Sequence, residues 1–295
     1  MAFPNNTNNS DINSELFANF VADAEFAMYD QSISRQLVKT FAVPMNSGRT
    51  VQVPIWSSIQ ADYFPDEDFA TTPAATGTTQ ELITLAEHVV YQKITDGIRD
   101  AAYGDIMSDL AFQSGLAIGE SIDKYTFATF ANLSSDIGTT GTELTTELVM
   151  KAAATLRAAK VQGPYYCVVH PAAAFNMKKV LTQTQVYNGS ALVPTANALS
   201  NVGNAVLAGG VIGTIAGVTI IESPLVAAVA TGGATAYRGA VFAPTAIGLA
   251  ERGALDLNTL YQPKDRATDM VLRQFAGAKV IRSTHGVAIT TEGTM

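Results

Sequence analysis

Tyr165-Tyr166-Cys167-Val168-Val169-His170-Pro171-Ala172-Ala173-Ala174 decides how the rest of this chain is read. Its first five residues form an uninterrupted apolar run without alternation, as expected of a strand buried on both faces. His170 and Pro171 end that run, and proline at the first turn starts a helix predicted over Ala172 to Leu181. A strand leading directly into a helix places the chain in a mixed α+β class.

Working upstream, Glu143 to Lys160 puts Leu144, Leu148, Ala152, Leu156 and Ala159 on one helical stripe and stops at Gly163-Pro164. Asp96 to Leu133 reads as a longer helix, about 45 Å if unbroken, with Ile106, Leu110, Ala117, Ile118, Ile122 and Tyr125 along one face. Within it, Gly115-x-x-x-Gly119 allows another backbone to approach closely. Nearer the N-terminus, Leu16 to Met28 carries Leu16, Phe17, Phe20, Val21, Ala24, Ala27 and Met28 at the spacing of a one-sided apolar helix.

Between these helices, Val51, Val53 and Ile55 alternate with Thr50, Gln52 and Pro54, and Pro54 confines the strand to an edge. Leu82 to Ile94 holds a second run, His88 to Ile94, with which the first is expected to pair as a long hairpin. The intervening Ser57 to Gln80 is too long for a structureless loop in a compact domain and reads as an extended arm. From Thr50 to Gln92 there is no Lys or Arg, while Asp62, Asp66, Glu67, Asp68, Glu81 and Glu87 are acidic. Such a projection repels itself and seeks a basic partner surface.

Downstream, no charged residue occurs between Lys179 and Glu222, and Ala205 to Ile221 is almost wholly apolar. Gly209, Gly210, Gly213 and Gly217 interrupt that stretch and no Lys or Arg flanks it closely, so a loop before the strand Val218–Ile221 outweighs a membrane span. Gly239 to Pro244 follows as a strand, then a charged patch from Glu251 to Arg273, then strands over Ala278–Arg282 and Gly286–Ile289.

The 295 residues are 47% hydrophobic and 15% charged, enough to bury a large core. Eighteen Lys and Arg against 26 Asp and Glu give a net charge of −8, without the basic stripe of a sequence-specific DNA binder. With the single Cys167 there is neither an internal disulfide nor a Cys-rich zinc module. Met1 to Ser10 lacks the charged and apolar regions of a signal peptide.

Chemistry is sparse. His88, His170 and His285 stand in unrelated contexts. Cys167-x-x-His170 spans a buried strand and its end, which reads as core packing with His170 capping the next helix. Asp66-Glu67-Asp68 lacks the alternating ligands and turn glycine of a calcium loop. Gly203 to Gly217 has no phosphate-loop pattern and precedes a strand instead of following one. No Gly-x-Ser-x-Gly elbow occurs. The expectation is therefore no catalytic residue, no cofactor and no metal. Basic charge gathers late, at Arg252, Lys264, Arg266, Arg273, Lys279 and Arg282, where solvated faces are the plain reading.

Arm, acidic hairpin, long helix, the Val168-Val169-His170-Pro171 junction, Gly213 to Ser223 and Ala240 to Ala250 follow one another in an order that resembles the major capsid proteins of tailed double-stranded DNA bacteriophages, the Hong Kong 97-type shell fold. The resemblance runs from about Ser14 to Gly293. It implies an N-terminal arm over 1–41, an extended hairpin loop over 42–95, a peripheral domain with a spine helix over 96–165, an axial domain over 166–255 and a return to the peripheral domain over 256–295. It further implies a structural, non-enzymatic protein of the virion, made in the host cytoplasm and assembled through pentamers and hexamers into an icosahedral shell around packaged DNA. No built-in scaffold helix precedes the arm, so either a separate scaffolding protein is expected or a scaffold domain removed before residue 1, with a portal, a possible decoration protein, non-specific contact with DNA and no membrane. Two rivals remain: an encapsulin-like compartment with the same fold, and a soluble α+β enzyme whose apolar Gly-rich region lines a pocket.

Within the resemblance, Asp66, Glu67 and Asp68 are expected to meet basic residues of an adjacent subunit, with Arg252 and Arg266 as candidates. Reversing all three acids to lysine is expected to block assembly, read by sedimentation, while the monomer stays folded by circular dichroism. Shells of normal size from that variant would remove the contact.

Overall fold

A computed structural model of the chain describes residues 9–45, 48–57, 59, 76–101, 106–182, 213–231 and 234–293. In chain order these form α1 (Asn9–Gln31), α2 (Ser34–Leu37), β1 (Lys39–Val43), β2 (Thr50–Trp56), β3 (Thr78–Thr84), β4 (Ala86–Thr95), α3 (Asp96–Ala101), α4 (Ile106–Ala128), β5 (Ser135–Ile137), α5 (Thr146–Ala158), β6 (Tyr165–Val169), α6 (Pro171–Thr182), β7 (Thr214–Ile215), β8 (Val218–Glu222), β9 (Ala228–Thr231), β10 (Ala234–Phe242), β11 (Ile247–Gln262), β12 (Ala267–Val280) and β13 (Gly286–Glu292). The mixed α+β class follows directly.

Strand β6 lies inside a seven-stranded sheet, antiparallel to β10 (Cys167 opposite Val241) and parallel to β8 (Tyr165 opposite Val218). Both its faces are covered. Cys167 and Val169 join α5 and α6 in one core through Leu156, Ala173 and Met177, while Val168 turns to the other side beside Phe242 and Phe130. Two strands of this sheet, β5 and β13, come from outside the 166–255 span.

A second, four-stranded sheet runs β1-β11-β12-β4. Its centre is a long antiparallel hairpin, β11 against β12, which occupies the stretch that reads in sequence as a charged patch. Arg252, Asp256, Arg273 and Lys279 fall on the outward phase of these strands and do not prevent them, while Glu251 on the inward phase is matched by Arg35. A bulge between Arg252 and Asp256 kinks β11, with Gly253 at φ +66° where a side chain would be strained.

The pairing of the projecting ribbon differs from the expectation. β2 pairs with β3, Val53 opposite Glu81 and Trp56 opposite Thr78. His88 to Ile94 lies instead in β4, antiparallel to β12. The reason is burial: His88 and Ile94 turn inward, and Val90 packs on the core beside α4. At the ribbon's root Ile83, Leu85, Val51 and Val53 pack with Val43, Ala250 and Phe275, and farther along Glu81 pairs with Lys279 of the body. Asp66, Glu67 and Asp68 lie outside the described residues, as do residues 183–212 in the charge-free stretch.

Helix α4 has 23 residues, about 35 Å, and is preceded by α3 and followed by a short 3-10 turn over Thr129–Asn132. Its buried face runs through Ala111, Ser114, Ile118, Ile122 and Phe127, while Ala117 and Tyr125 face outward. What displaces the expected stripe is α1, which lies against α4 on small residues. A Cβ placed on Gly115 would stand 2.2 Å from the Ala24 carbonyl oxygen, and one on Gly119 would stand 3.2 Å from that of Met28. Phe20, Ala24, Ala27 and Met28 are the buried side of α1, in the helical register read from the sequence.

The end of α1 is fixed by one side chain. Asp123, buried in α4, accepts from Ser32 Oγ (2.8 Å), from the Ile33 N–H (2.8 Å), and from both the N–H and hydroxyl of Ser34. Nearby, Glu25 accepts the Leu255 N–H at 3.2 Å beside the bulge, and Arg35 pairs with Glu251 at 2.7 Å.

Two glycine substitutions separate helix propensity from the α1–α4 contact. Gly115→Ala and Gly119→Ala each gain about 1 kcal/mol of helix propensity. At Gly115 the added carbon forces α1 outward at a cost of about 3 kcal/mol, so its urea midpoint is expected to fall well below that of Gly119→Ala. Equal midpoints would show that close approach does not limit the fold.

Candidate functional site

Residues capable of chemistry are dispersed. Cys167 is fully buried, and burial pushes its thiol up to about 12, which leaves it an unreactive core group. His170 accepts the Ala172 N–H at 3.1 Å, capping α6, and its ring stacks on Tyr237 at 3.6 Å. His88 lies between β4 and α4, with Nδ1 2.8 Å from Ser121 Oγ and its ring edge-on to Tyr125. His285 is held to Thr245 Oγ1 at 2.7 Å. Among the described residues, no three His, Cys, Asp or Glu side chains converge where a metal ion would fit. Nor is any helix among them long and apolar enough to cross a membrane.

The charges near the ribbon are largely matched within the chain. Lys279 pairs with Glu81 at 2.8 Å, and Arg273 with Asp256 at 2.6 Å and with Glu87 at 3.6 Å. Arg252 sits at the ribbon's root, 4.3 Å over the Phe275 ring, and donates to the Gly48 carbonyl at 3.1 Å. Arg266 occupies the exposed β11–β12 turn at φ +47°, and its carbonyl accepts the Asp96 N–H at 2.8 Å. About ten residues of strand separate the two arginines, roughly 33 Å at the rise of a β-strand. They therefore belong to opposite ends of the hairpin and do not make one basic patch.

What the surface offers is apolar. Trp56 is 63% exposed at the outer end of the described ribbon, on the phase of β2 that carries Thr50, Gln52 and Pro54. At the far end of β4, Ile98 is exposed at a hollow of about 310 Å³ lined by Gln92, Lys93, Ile94, Ile98 and Leu110, and Tyr91, Leu260 and Tyr261 are exposed elsewhere on the same end of the sheet. A larger hollow, about 560 Å³, lies beside β1 under Tyr29, Arg35 and Glu251. Binding surfaces of this kind join proteins to one another and contain no group poised for bond-making. Acid clusters drew attention in the sequence more than Trp56 did, although a lone tryptophan on the polar phase of an alternating strand is a legible signal.

A family model described as "Phage capsid protein" matches residues 74–290. No curated protein matches the sequence. Among solved structures, the capsid of Ralstonia phage GP4 is similar with a TM-score of 0.68 at 11% identity, over 88% of this chain and 87% of that one. Mycobacterium phage Che8 gives 0.62 at 17% identity, over 82% and 85%. A virus-like particle from Pyrococcus furiosus gives 0.59 at 10% identity, over 92% and 98%. At these identities the likeness is one of fold.

Burial lowers the pKa of His88, His170 and His285 from the ordinary value of 6.5, with the Arg282 charge adding to the effect at His285. The unfolded chain then takes up protons before the folded one does. Stability is full above about pH 6.5 and is lost as pH falls through the window down to the folded-state values. Urea midpoints of the unassembled subunit should decline across that window, and His88→Gln should flatten the decline. A midpoint that rises on acidification would reverse the assignment.

Proposed function

The chain belongs to the phage capsid protein family, and from that premise we propose that it is the major capsid subunit, joining in pentamers and hexamers to tile an icosahedral shell around packaged double-stranded DNA. The observation that carries this reading is the family match over residues 74–290, which takes in most of both sheets, α4 and β3 of the projecting ribbon. A structural role agrees with a surface of apolar docking residues and with dispersed histidines.

The physical logic is one of many modest contacts. One phase of the ribbon's first strand, Thr50, Gln52, Pro54 and Trp56, is exposed and open to a neighbour. Interfaces of about 1,600 Å² support specific complexes, and several per subunit act together. Rings close only when each heterologous contact repeats at the right rotation. In this reading the seven-stranded sheet with α5 and α6 surrounds the local symmetry axis, with the four-stranded sheet and α4 at the periphery. The acids at 66–68 meet a neighbour's basic residues near the ribbon's far end. Arg266, at the exposed turn, is the better placed of the two arginines for that role, since Arg252 is occupied at its own ribbon's root.

Partners of the finished virion follow from the same reading. Assembly takes place in the host cytoplasm on a separate scaffolding protein, with a portal at one vertex and a decoration protein where the surface accepts one. DNA meets an acidic chain of net charge −8, so contact with it is weak and independent of sequence. A protein-filled compartment is the second reading, favoured by the fold shared with the Pyrococcus furiosus virus-like particle.

Sedimentation of the purified chain, with negative-stain images of any fast fraction, tests the proposal. Megadalton shells or five- and six-membered rings are expected, with nucleic acid inside virion particles. Cargo protein in place of nucleic acid would favour the compartment. A monomer or dimer that stays small when a scaffolding partner is supplied would overturn both.

A further inference from the structure

Strand β4 ends the four-stranded sheet. β12 lies on one side of it, and no other described strand lies on the other. Its ten residues, Ala86–Thr95, contain neither Pro nor Gly and pair with β12 without a register shift. Sheet edges are normally kept short, bulged or interrupted by proline, because a straight open edge is a template for another strand. The hollow beside α4 is lined by Gln92, Lys93 and Ile94, consecutive residues whose side chains alternate between the two faces, so it opens along this edge.

Backbone phase decides which groups the edge offers. The Asp96 N–H reaches the Arg266 carbonyl at 2.8 Å, directly beyond the pair of Thr95 with Ala267. By alternation Ile94, Gln92, Val90 and His88 also turn their N–H and C=O groups to β12, while Lys93, Tyr91, Val89 and Glu87 turn theirs outward. Leu85 belongs to the outward set, and its N–H goes to the Arg49 carbonyl at 2.8 Å instead of to β12. The side chains of the four outward residues share the solvent-facing side of the sheet, with Val89 49% and Tyr91 59% exposed.

A second copy of β4 is the strand that fits this edge. An antiparallel strand added there exchanges hydrogen bonds between outward-turned residues, so a twofold axis has to pass beside a residue and not between two. With the axis at Val90, Glu87 falls opposite the other copy's Lys93 and Val89 opposite its Tyr91, and the same pairs recur in reverse. An axis one residue to either side sets Glu87 opposite Tyr91 or Thr95 and leaves Lys93 without an acid. Opposite charges, and an aromatic beside a β-branched residue, are favourable cross-strand pairs. Glu87 lies 3.6 Å from Arg273, and Lys93 pairs with Asp265, all at the surface, so the new pairs join these ion pairs end to end without burying a bare charge.

We propose that two copies of this chain join edge to edge through β4, antiparallel about a twofold axis at Val90, in one sheet continuous across the pair. Backbone hydrogen bonds and the Val89–Tyr91 pairs hold the contact, and the charges set its alignment. The contact rests on the shell reading for its setting: heterologous contacts close each ring, and this isologous one joins a ring to the next.

Charge exchange in the full chain tests the register. Glu87→Lys and Lys93→Glu each set like charges opposite one another at both ends of the pairing, and each is expected to lower the fraction of chain in sedimenting shells about tenfold. Mixed in equal amounts, the two variants place unlike charges opposite one another at both positions of every mixed pair, so shells should return. Mixing does not repair the lost pairing with Arg273 or Asp265 inside each subunit, which separates the contact from the subunit's own stability. A Val89→Cys, Tyr91→Cys double variant should give disulfide-linked dimers on oxidation and no longer ladder, since an isologous contact joins chains in twos. Cys167 is buried and takes no part. Normal shells from either charge variant, mixtures as poor as their components, or shells without linked dimers would overturn the inference and leave the shell reading standing. Linked dimers from a chain that builds no shell would keep this contact and remove the shell, and a chain that gives neither removes both.

Discussion

A carboxylate with four hydrogen bonds holds this molecule's layers in register. Asp123 draws Ser32, Ile33 and Ser34 onto α4, and in doing so ends α1, starts α2 and sets where β1 begins. A buried carboxylate is tolerated only when its oxygens are fully engaged, so the link between α1 and α2 has little freedom. Strand β1 then reaches β11 in the one alignment that places Lys39 opposite Gly248, and the ribbon leaves from the end of β1. The direction in which the ribbon projects thus depends on a side chain in the C-terminal third of α4. Gly115 supports the same arrangement from below by letting α1 come close enough for Asp123 to reach.

Function follows from what this arrangement leaves uncovered. Two of the basic residues near the ribbon answer acids of the same chain, Lys279 answering Glu81 and Arg273 answering Asp256. Exposed ion pairs of this kind contribute little to stability, but they remove bare charge from the subunit surface near the ribbon. Apolar side chains, by contrast, are left facing outward at both ends of the β3–β4 run. Attraction between copies is thereby concentrated in short-range, shape-dependent contacts, which salt screens less than surface charge.

The legible parts of the sequence were those where burial is uniform or strictly periodic. Tyr165 to Val169 is a strand covered on both sides, so its residues are apolar without exception and the helix after Pro171 is unmistakable. Gly115-x-x-x-Gly119 announced a close backbone contact, although not its partner α1. Three things were hidden. β3, Thr-Thr-Gln-Glu-Leu-Ile-Thr, is mostly exposed and carries almost no apolar pattern, so β2 looked better matched to the richer run at 88–94. β11 and β12 bear most of their charges on one face of long strands, with Glu251 turned inward to Arg35, which reads as a solvated patch until the opposite phase is seen to be buried. Asp123 reads as an ordinary helix-surface acid, because a serine pair 89 and 91 residues earlier gives no local sign of it. Of the candidate site, the acids were conspicuous and the hollow was not, since Gln92, Ile98 and Leu110 meet only through the packing of β4 with two helices.

Strand β13 lies between β5 and β10 in the seven-stranded sheet, and β5 has no other neighbour there. The residues that complete this interior position are 286–292, after every other strand in the molecule. A chain emerging from a ribosome therefore cannot close that sheet until residues 286–292 have been made. Until then β5 has no partner in the sheet and the edge of β10 is left open, a surface on which another chain could pair.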